Sequence, residues 1–194
     1  MAGKAAPSWD PAAIVRGSPI RPWSGNVWRC HSRKYRGDDP GGSLKTTGRF
    51  HRGADRFSVN ETWPALYTGL ALHIALGERL RHTTPASLSQ FANQRISRLH
   101  LELHSVLILC APSGCADISV DGLDLHALCN PVDFNWCDQL ALAARDVAEA
   151  MLIPSCTRFP EGNLVIFPDR LEPHSSMVVE ETQDPDLFVD WAIV

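Results

Sequence analysis

Residues 62–82 read TWPALYTGLALHIALGERLRH. The stretch begins as a strand and ends as a helix. ALY, 65–67, is a short apolar run after a proline, which suits a buried strand. Leu70, Ala71, Ile74, Ala75, Glu78 and Arg81 then recur at helical spacing and predict a helix over 69–82. The same stripe carries a chemical question, because Glu78 is a carboxylate on an otherwise apolar helix face. A carboxylate there is costly unless it is paired or used. The plain structural reading is a surface glutamate paired with Arg81 or His82.

Outward from this stretch, VWRCHSRKY, 27–35, reads as a first short strand. Residues 36–61 are crowded with Gly, Asp and Arg and read as a long ordered loop, a kind of segment that often carries function. RISRLHLELHSVLILC, 95–110, has period two, with Leu99, Leu101, Leu103, Leu107 and Leu109 on one face, and predicts a long strand. DQLALAARDVAEAML, 138–152, predicts an amphipathic helix with Leu140, Ala144, Val147 and Met151 on one side. NLVIF, 163–167, and SMVVEE, 176–181, predict two late strands separated by the turn-forming PDRLEP. Strands and helices mix without βαβ regularity, which favours an α+β fold. Residues 1–25, rich in Pro, Ala, Gly and Ser, read as an irregular N-terminal arm, and 26–194 as the domain.

The chain has 194 residues, enough for one domain with a core that needs no staples. A formal charge of −4 gives no bulk attraction to nucleic acid or an anionic membrane. No apolar run is long enough to span a bilayer, and MAGKAAPSWDPAA is not a secretory signal, so a cytoplasmic protein is expected. The six cysteines, at 30, 110, 115, 129, 137 and 156, form no CxxC pair and read as reduced thiols rather than zinc ligands.

Four arginines stand out: Arg29 in the first strand, and Arg49, Arg52 and Arg56 in the loop. A planar guanidinium binds two oxygens at once and suits phosphate or carboxylate recognition, whereas the bland alternative is a solvated basic loop. His100, Glu102 and His104 share one side of a strand, as two histidines and a carboxylate do in a metal face. A polar, solvent-facing strand gives the same pattern and is preferred, so no metal is expected. Cys137 has no histidine placed by motif to activate it as a nucleophile.

Five segments in order, WR, GRF, PALYTGLALHIALGE, DFNWCDQLALAA and IPSCTRFPEGNLVIFPDRL, resemble the RES domain family. That family is named for its Arg, Glu and Ser and is known from toxins of bacterial RES–Xre toxin–antitoxin pairs. The likeness spans about residues 27–181. It implies a compact α+β domain with a mixed, largely antiparallel sheet and flanking helices, similar to ADP-ribosyltransferase toxins. It also implies cleavage of the nicotinamide–ribose bond of NAD⁺ by hydrolysis or phosphorolysis. NAD⁺ is then substrate rather than cofactor, with phosphate as a possible co-substrate. Position by position, the family's arginines fall on Arg29 and Arg49, its strand tyrosine on Tyr67 and its glutamate on Glu78. Its serine falls on Cys137, a departure, since a thiol is a weak donor. The long insertion HRGADRFSVNET leaves open whether Arg49, Arg52 or Arg56 reaches the ligand. The implied partners are an Xre-type helix-turn-helix antitoxin and a second copy of the chain, with no direct nucleic-acid contact. Two alternatives stay open: transfer of ADP-ribose to a macromolecule, and a catalytically weak nucleotide-binding or antitoxin-binding module. The apolar tail LFVDWAIV, 187–194, with Trp191, is read as docking on its own core.

Overall fold

A computed structural model of the chain describes residues 10–81, 93–111, 128, 135–157 and 161–184. The lead-in expected to be irregular carries regular structure from its eleventh residue. Asp10 caps helix α1 (Pro11–Gly17) by accepting from the Ala12 amide at 3.0 Å. Pro11 occupies the first helical turn, where its missing N–H costs nothing. Strand β1 then runs from Ile20 to Ser32, far longer than the short strand expected at 27–35. Pairing explains the extension: β3 (Gln94–Ile108) offers a fifteen-residue edge, and β1 is antiparallel to it from Ile20↔Leu107 to Ser32↔Gln94.

The other described elements are β2 (Leu66–Gly69), α2 (Leu72–Arg81), α3 (Asn135–Arg145), β4 (Ala150–Pro154), β5 (Gly162–Ile166) and β6 (Ser176–Gln183). The sheet order is β1-β2-β5-β4-β3-β6, and the further β1–β3 pairing curls the first five strands into a ring. Among the described residues only β3–β4 is parallel, so the sheet is mixed and largely antiparallel, as expected. With α1, α2 and α3 flanking it among the described residues, the fold is α+β.

Two expectations are corrected. The helix predicted over 138–152 stops at Arg145, and Ala150–Pro154 is a strand. AMLIP is apolar because β4 is buried on both faces. Met151 and Ile153 join the core cluster that holds α1 and α3, while Ala150 and Leu152 join the cluster inside the ring. A short apolar run buried on both sides carries no period to separate strand from helix. Second, the four leucines of β3 and Leu109, just beyond its end, do not share one face. Leu99, Leu101 and Leu103 enter the ring cluster, whereas Leu107 and Leu109 enter the other. The phase slips at a bulge, where Trp23 pairs with Leu103 but Arg21 pairs with Val106. The amides freed there, of His104 and Ser105, donate to the buried Glu149 carboxylate at 2.7 and 2.9 Å.

Glycine sets how closely α2 lies on the sheet. A Cβ on Gly69 would stand 2.7 Å from the Ala75 amide nitrogen and 2.9 Å from Ile74 Cβ. With hydrogen there instead, α2 seats Ile74, Ala75 and Leu76 in the protein and brings its last turn to the ends of β4 and β5. The tail 187–194, Cys115, Cys129 and His82 lie outside the described residues.

Candidate active site

Glu78 lies in that last turn of α2. Its Oε1 accepts three hydrogen bonds: from Ser155 Oγ at 2.9 Å, from the Cys156 amide at 2.6 Å and from Asn163 Nδ2 at 2.7 Å. A half-buried carboxylate held by three donors keeps one fixed orientation. Arg81 donates to the Cys156 carbonyl at 2.9 Å and clamps the same turn from outside.

The segment GRF forms a tight turn. Gly48 and His51 make an isolated antiparallel bridge, and the chain reverses over Arg49 and Phe50. Phe50 is fully buried and anchors the turn in the core. Arg49 lies over the Phe50 ring at 5.1 Å and donates to the Leu128 carbonyl at 3.1 Å and to Cys156 Sγ. Burial opposes its charge, but Cys156, Glu78 and Tyr67 more than offset that and hold the guanidinium above its ordinary value. Arg49 and Glu78 thus meet around Cys156, from opposite ends of the sequence motif.

A cleft of about 360 Å³, whose lining includes neither Arg49 nor Glu78, is formed by β1, the loop, β2, α2 and the start of β3. The inward face of β1 runs Val27, Arg29, His31, so it turns from apolar to polar as it reaches the cleft. Arg29, 9% exposed, donates to the Gly37 carbonyl at 2.6 Å and the Asp39 carbonyl at 3.0 Å, and so ties the loop to the cleft wall. Burial pushes its guanidinium down to about 10, with Asp39 and Asp38 working the other way. Arg79, one residue past Glu78, lines the same cleft. The Cys30 thiol there is pushed up to about 11 by burial, against the pull of Arg79 and Arg29.

Tyr67 crosses from β2 into the cleft. Its hydroxyl accepts from the Phe50 amide at 2.8 Å and lies 2.9 Å from His51 Nδ1. Burial drives the phenol far above the usual tyrosine range, and Phe50 and Arg49 only partly counter it.

The remaining candidates are placed differently. Arg52 does not join Arg29 and Arg49. It grips Asp138 of α3 with Nε at 2.9 Å and Nη2 at 2.7 Å, and lies 4.7 Å from the ring centroids of both Phe57 and Trp63. Arg145, itself held by Asp169, covers Trp63 at 5.1 Å, so a stack of rings and guanidinium groups joins the loop to α3. Arg56 is exposed on the loop surface. Cys137 is 0% exposed and sits in the core with Leu140 and Phe167. The hydroxyl that meets Glu78 therefore belongs to Ser155, not to the position matched with the family serine. His100 bonds Asn26 and Glu102 on the outer side of the sheet, and His104 faces His174 with ring centroids 6.4 Å apart. Among the described residues no three His, Cys, Asp or Glu side chains are grouped to hold a metal.

Ser155, Asn163, His51 and Arg79 were missed in the sequence. Ser155 and Asn163 stood inside the segment IPSCTRFPEGN, but neither has a spacing that announces a contact with residue 78.

The sequence model of the RES domain matches residues 26–191. The chain belongs to the RES domain family. No curated protein matches this RES domain by sequence. Among solved structures, a chain of the M. tuberculosis MbcT–MbcA toxin–antitoxin complex superposes with a TM-score of 0.71 at 16% identity, covering 95% of this chain and 97% of that one. At that identity the likeness concerns the fold. Among the described residues no helix of this RES domain is long and apolar enough to cross a membrane.

Proposed function

We propose that this RES domain cleaves the nicotinamide–ribose bond of NAD⁺ and serves as the toxin of a toxin–antitoxin pair. The observation that carries the reading is the Glu78 carboxylate, fixed by Ser155, Cys156 and Asn163 and adjoining the guanidinium of Arg49. Breaking the C–N bond sends its electron pair to nicotinamide, which leaves as a neutral base, and positive charge develops on the ribose. A carboxylate already held in place stabilises that charge without reorganising. Arg29 and Arg49 bind the pyrophosphate, and Tyr67 meets the nicotinamide ribose. Ser155 orients the Glu78 carboxylate through its hydroxyl. Cys137, buried in the core cluster against which Tyr67 packs, does not touch substrate. An oxygen of water or of phosphate closes the new bond at the ribose carbon, and water, when it is the acceptor, gives up a proton to the solvent. The molecule acts in the cytoplasm and is neutralised by an antitoxin.

The test is nicotinamide release by the purified chain, with and without phosphate. Release that requires phosphate assigns a phosphorylase, and release in its absence a glycohydrolase. Absence of release under both conditions refutes the reading, and labelled NAD⁺ in a lysate then asks for transfer to a macromolecule.

A further inference from the structure

His51 was not among the residues the sequence brought forward, yet it lines the cleft and contacts Tyr67 directly. It is buried, at 6% exposure. Its Nε2 lies 2.6 Å from the Thr46 carbonyl oxygen and its Nδ1 2.9 Å from the Tyr67 hydroxyl. A carbonyl oxygen only accepts, so Nε2 must carry the proton in that bond. In a neutral ring Nδ1 is then bare and can only accept. Burial favours the neutral ring, while the Thr46 carbonyl and Asp55 pull less strongly the other way.

The consequence falls on Tyr67. Its single hydroxyl proton is directed to His51 Nδ1, and one of its lone pairs takes the Phe50 amide at 2.8 Å. What is left for a ligand is one lone pair and the ring. Gly48 makes the arrangement possible, because a Cβ there would collide with the His51 imidazole and stand 3.1 Å from the Tyr67 oxygen.

We propose that His51 is a positioning residue which holds the Tyr67 hydroxyl as an acceptor, so that substrate meets it with a donor, a sugar hydroxyl, and not with an acceptor oxygen. The identity of that sugar rests on the NAD⁺ reading. The direction of the hydrogen bond does not. Phosphate oxygens and the nicotinamide carbonyl, being acceptors, are excluded from Tyr67, which leaves the donors of the substrate, its ribose hydroxyls and its carboxamide and adenine NH2 groups; of these the ribose hydroxyls stand next to the bond that breaks.

Two measurements test this. Two-bond ¹H–¹⁵N correlation spectra of the full-length chain, with His51 assigned by comparison with His51→Asn, read the tautomer directly. The Nε2–H form at neutral pH is expected; an Nδ1–H form or an imidazolium overturns the proposal. This holds whether or not NAD⁺ is cleaved, and it needs no variant to fold beyond the one used for assignment. In kinetics, His51→Phe removes the acceptor and should raise KM for NAD⁺ about fivefold to tenfold with a smaller change in kcat, the size of one lost hydrogen bond. His51→Asn, whose amide oxygen can still accept from Tyr67, should recover most of the loss. In a Tyr67→Phe background His51→Phe should add nothing; a full additive loss overturns the proposal. If the wild-type chain releases no nicotinamide, the NAD⁺ reading falls and the tautomer alone decides the role of His51.

Discussion

Asn163 and Glu78 are joined by a 2.7 Å hydrogen bond that crosses from β5 to the last turn of α2. Asn163 is paired in the sheet with Gly69, the residue whose missing side chain lets α2 lean in. One rung of the ladder therefore sets both the approach of the helix and the grip on its carboxylate. Asn163→Ala should lower kcat for nicotinamide release about tenfold with little change in KM, since a lost hydrogen bond to a charged group is worth about 1.5–3 kcal/mol. Asn163→Asp should be worse, because a second carboxylate would stand where a donor stood. A rise in KM alone would mean that Asn163 binds substrate rather than holding Glu78.

Glu78→Gln separates charge from structure. All three donors among the described residues fall on Oε1, and a glutamine can present its carbonyl oxygen to them. Thermal stability should stay near the wild-type value, while release of nicotinamide falls about a hundredfold or more through loss of the negative charge. Retained turnover in a folded variant would remove Glu78 from the chemistry.

Arg52 and Arg56 should part company in stability. Removing Arg52 leaves Asp138, 7% exposed, without its bidentate partner, and uncovers Trp63 and Phe57. Breaking a buried ion pair costs about 3–5 kcal/mol, so Arg52→Ala should lower the urea midpoint sharply. Arg56→Ala, at an exposed position, should leave both midpoint and KM within error. Equal loss of NAD⁺ affinity in both would return these arginines to the binding surface.

The sequence made α2, β2, β5 and β6 legible, because each is an amphipathic or apolar run bounded by Pro, Gly or polar residues. It misjudged β4, since AMLIP is buried on both faces and continues the apolar residues of α3 across a turn. The length of β1 was hidden because residues 20–26 are mostly exposed, and only the long edge of β3 makes them a strand. Glu78 could be singled out because a carboxylate on an apolar stripe is anomalous by itself. Ser155 and Asn163 could not, since their roles arise from contacts 77 and 85 residues away in the chain. Arg49, Arg52 and Arg56 looked alike in the sequence. Only the turn over Arg49 and Phe50 and the position of Asp138 separate them.

Stability should fall as the medium is acidified below the ordinary histidine range. His51 and His31 are both buried, and burial lowers both rings below the reference of 6.5 despite hydrogen bonds to the Thr46 and Ser32 carbonyls. The folded chain therefore takes up these protons less readily than the unfolded chain. Above 6.5 the two states bind equally few, and the contribution of the two rings is complete. As pH falls through 6.5 the unfolded chain protonates first, so stability declines until the folded values are reached. Glu149 acts in a lower window. Although burial works against its charge, the hydrogen bonds from the Glu172, Ser105 and His104 amides hold it below 4.5, so its contribution is lost only under more acid conditions. Urea midpoints taken at about pH 7.5 and about pH 5.5 should differ in the wild-type chain, and His51→Asn should narrow the gap by removing one of the two rings. A widened gap in that variant would mean that His51 holds its proton more tightly in the folded chain than in the unfolded one, in which case it could not receive the Tyr67 proton.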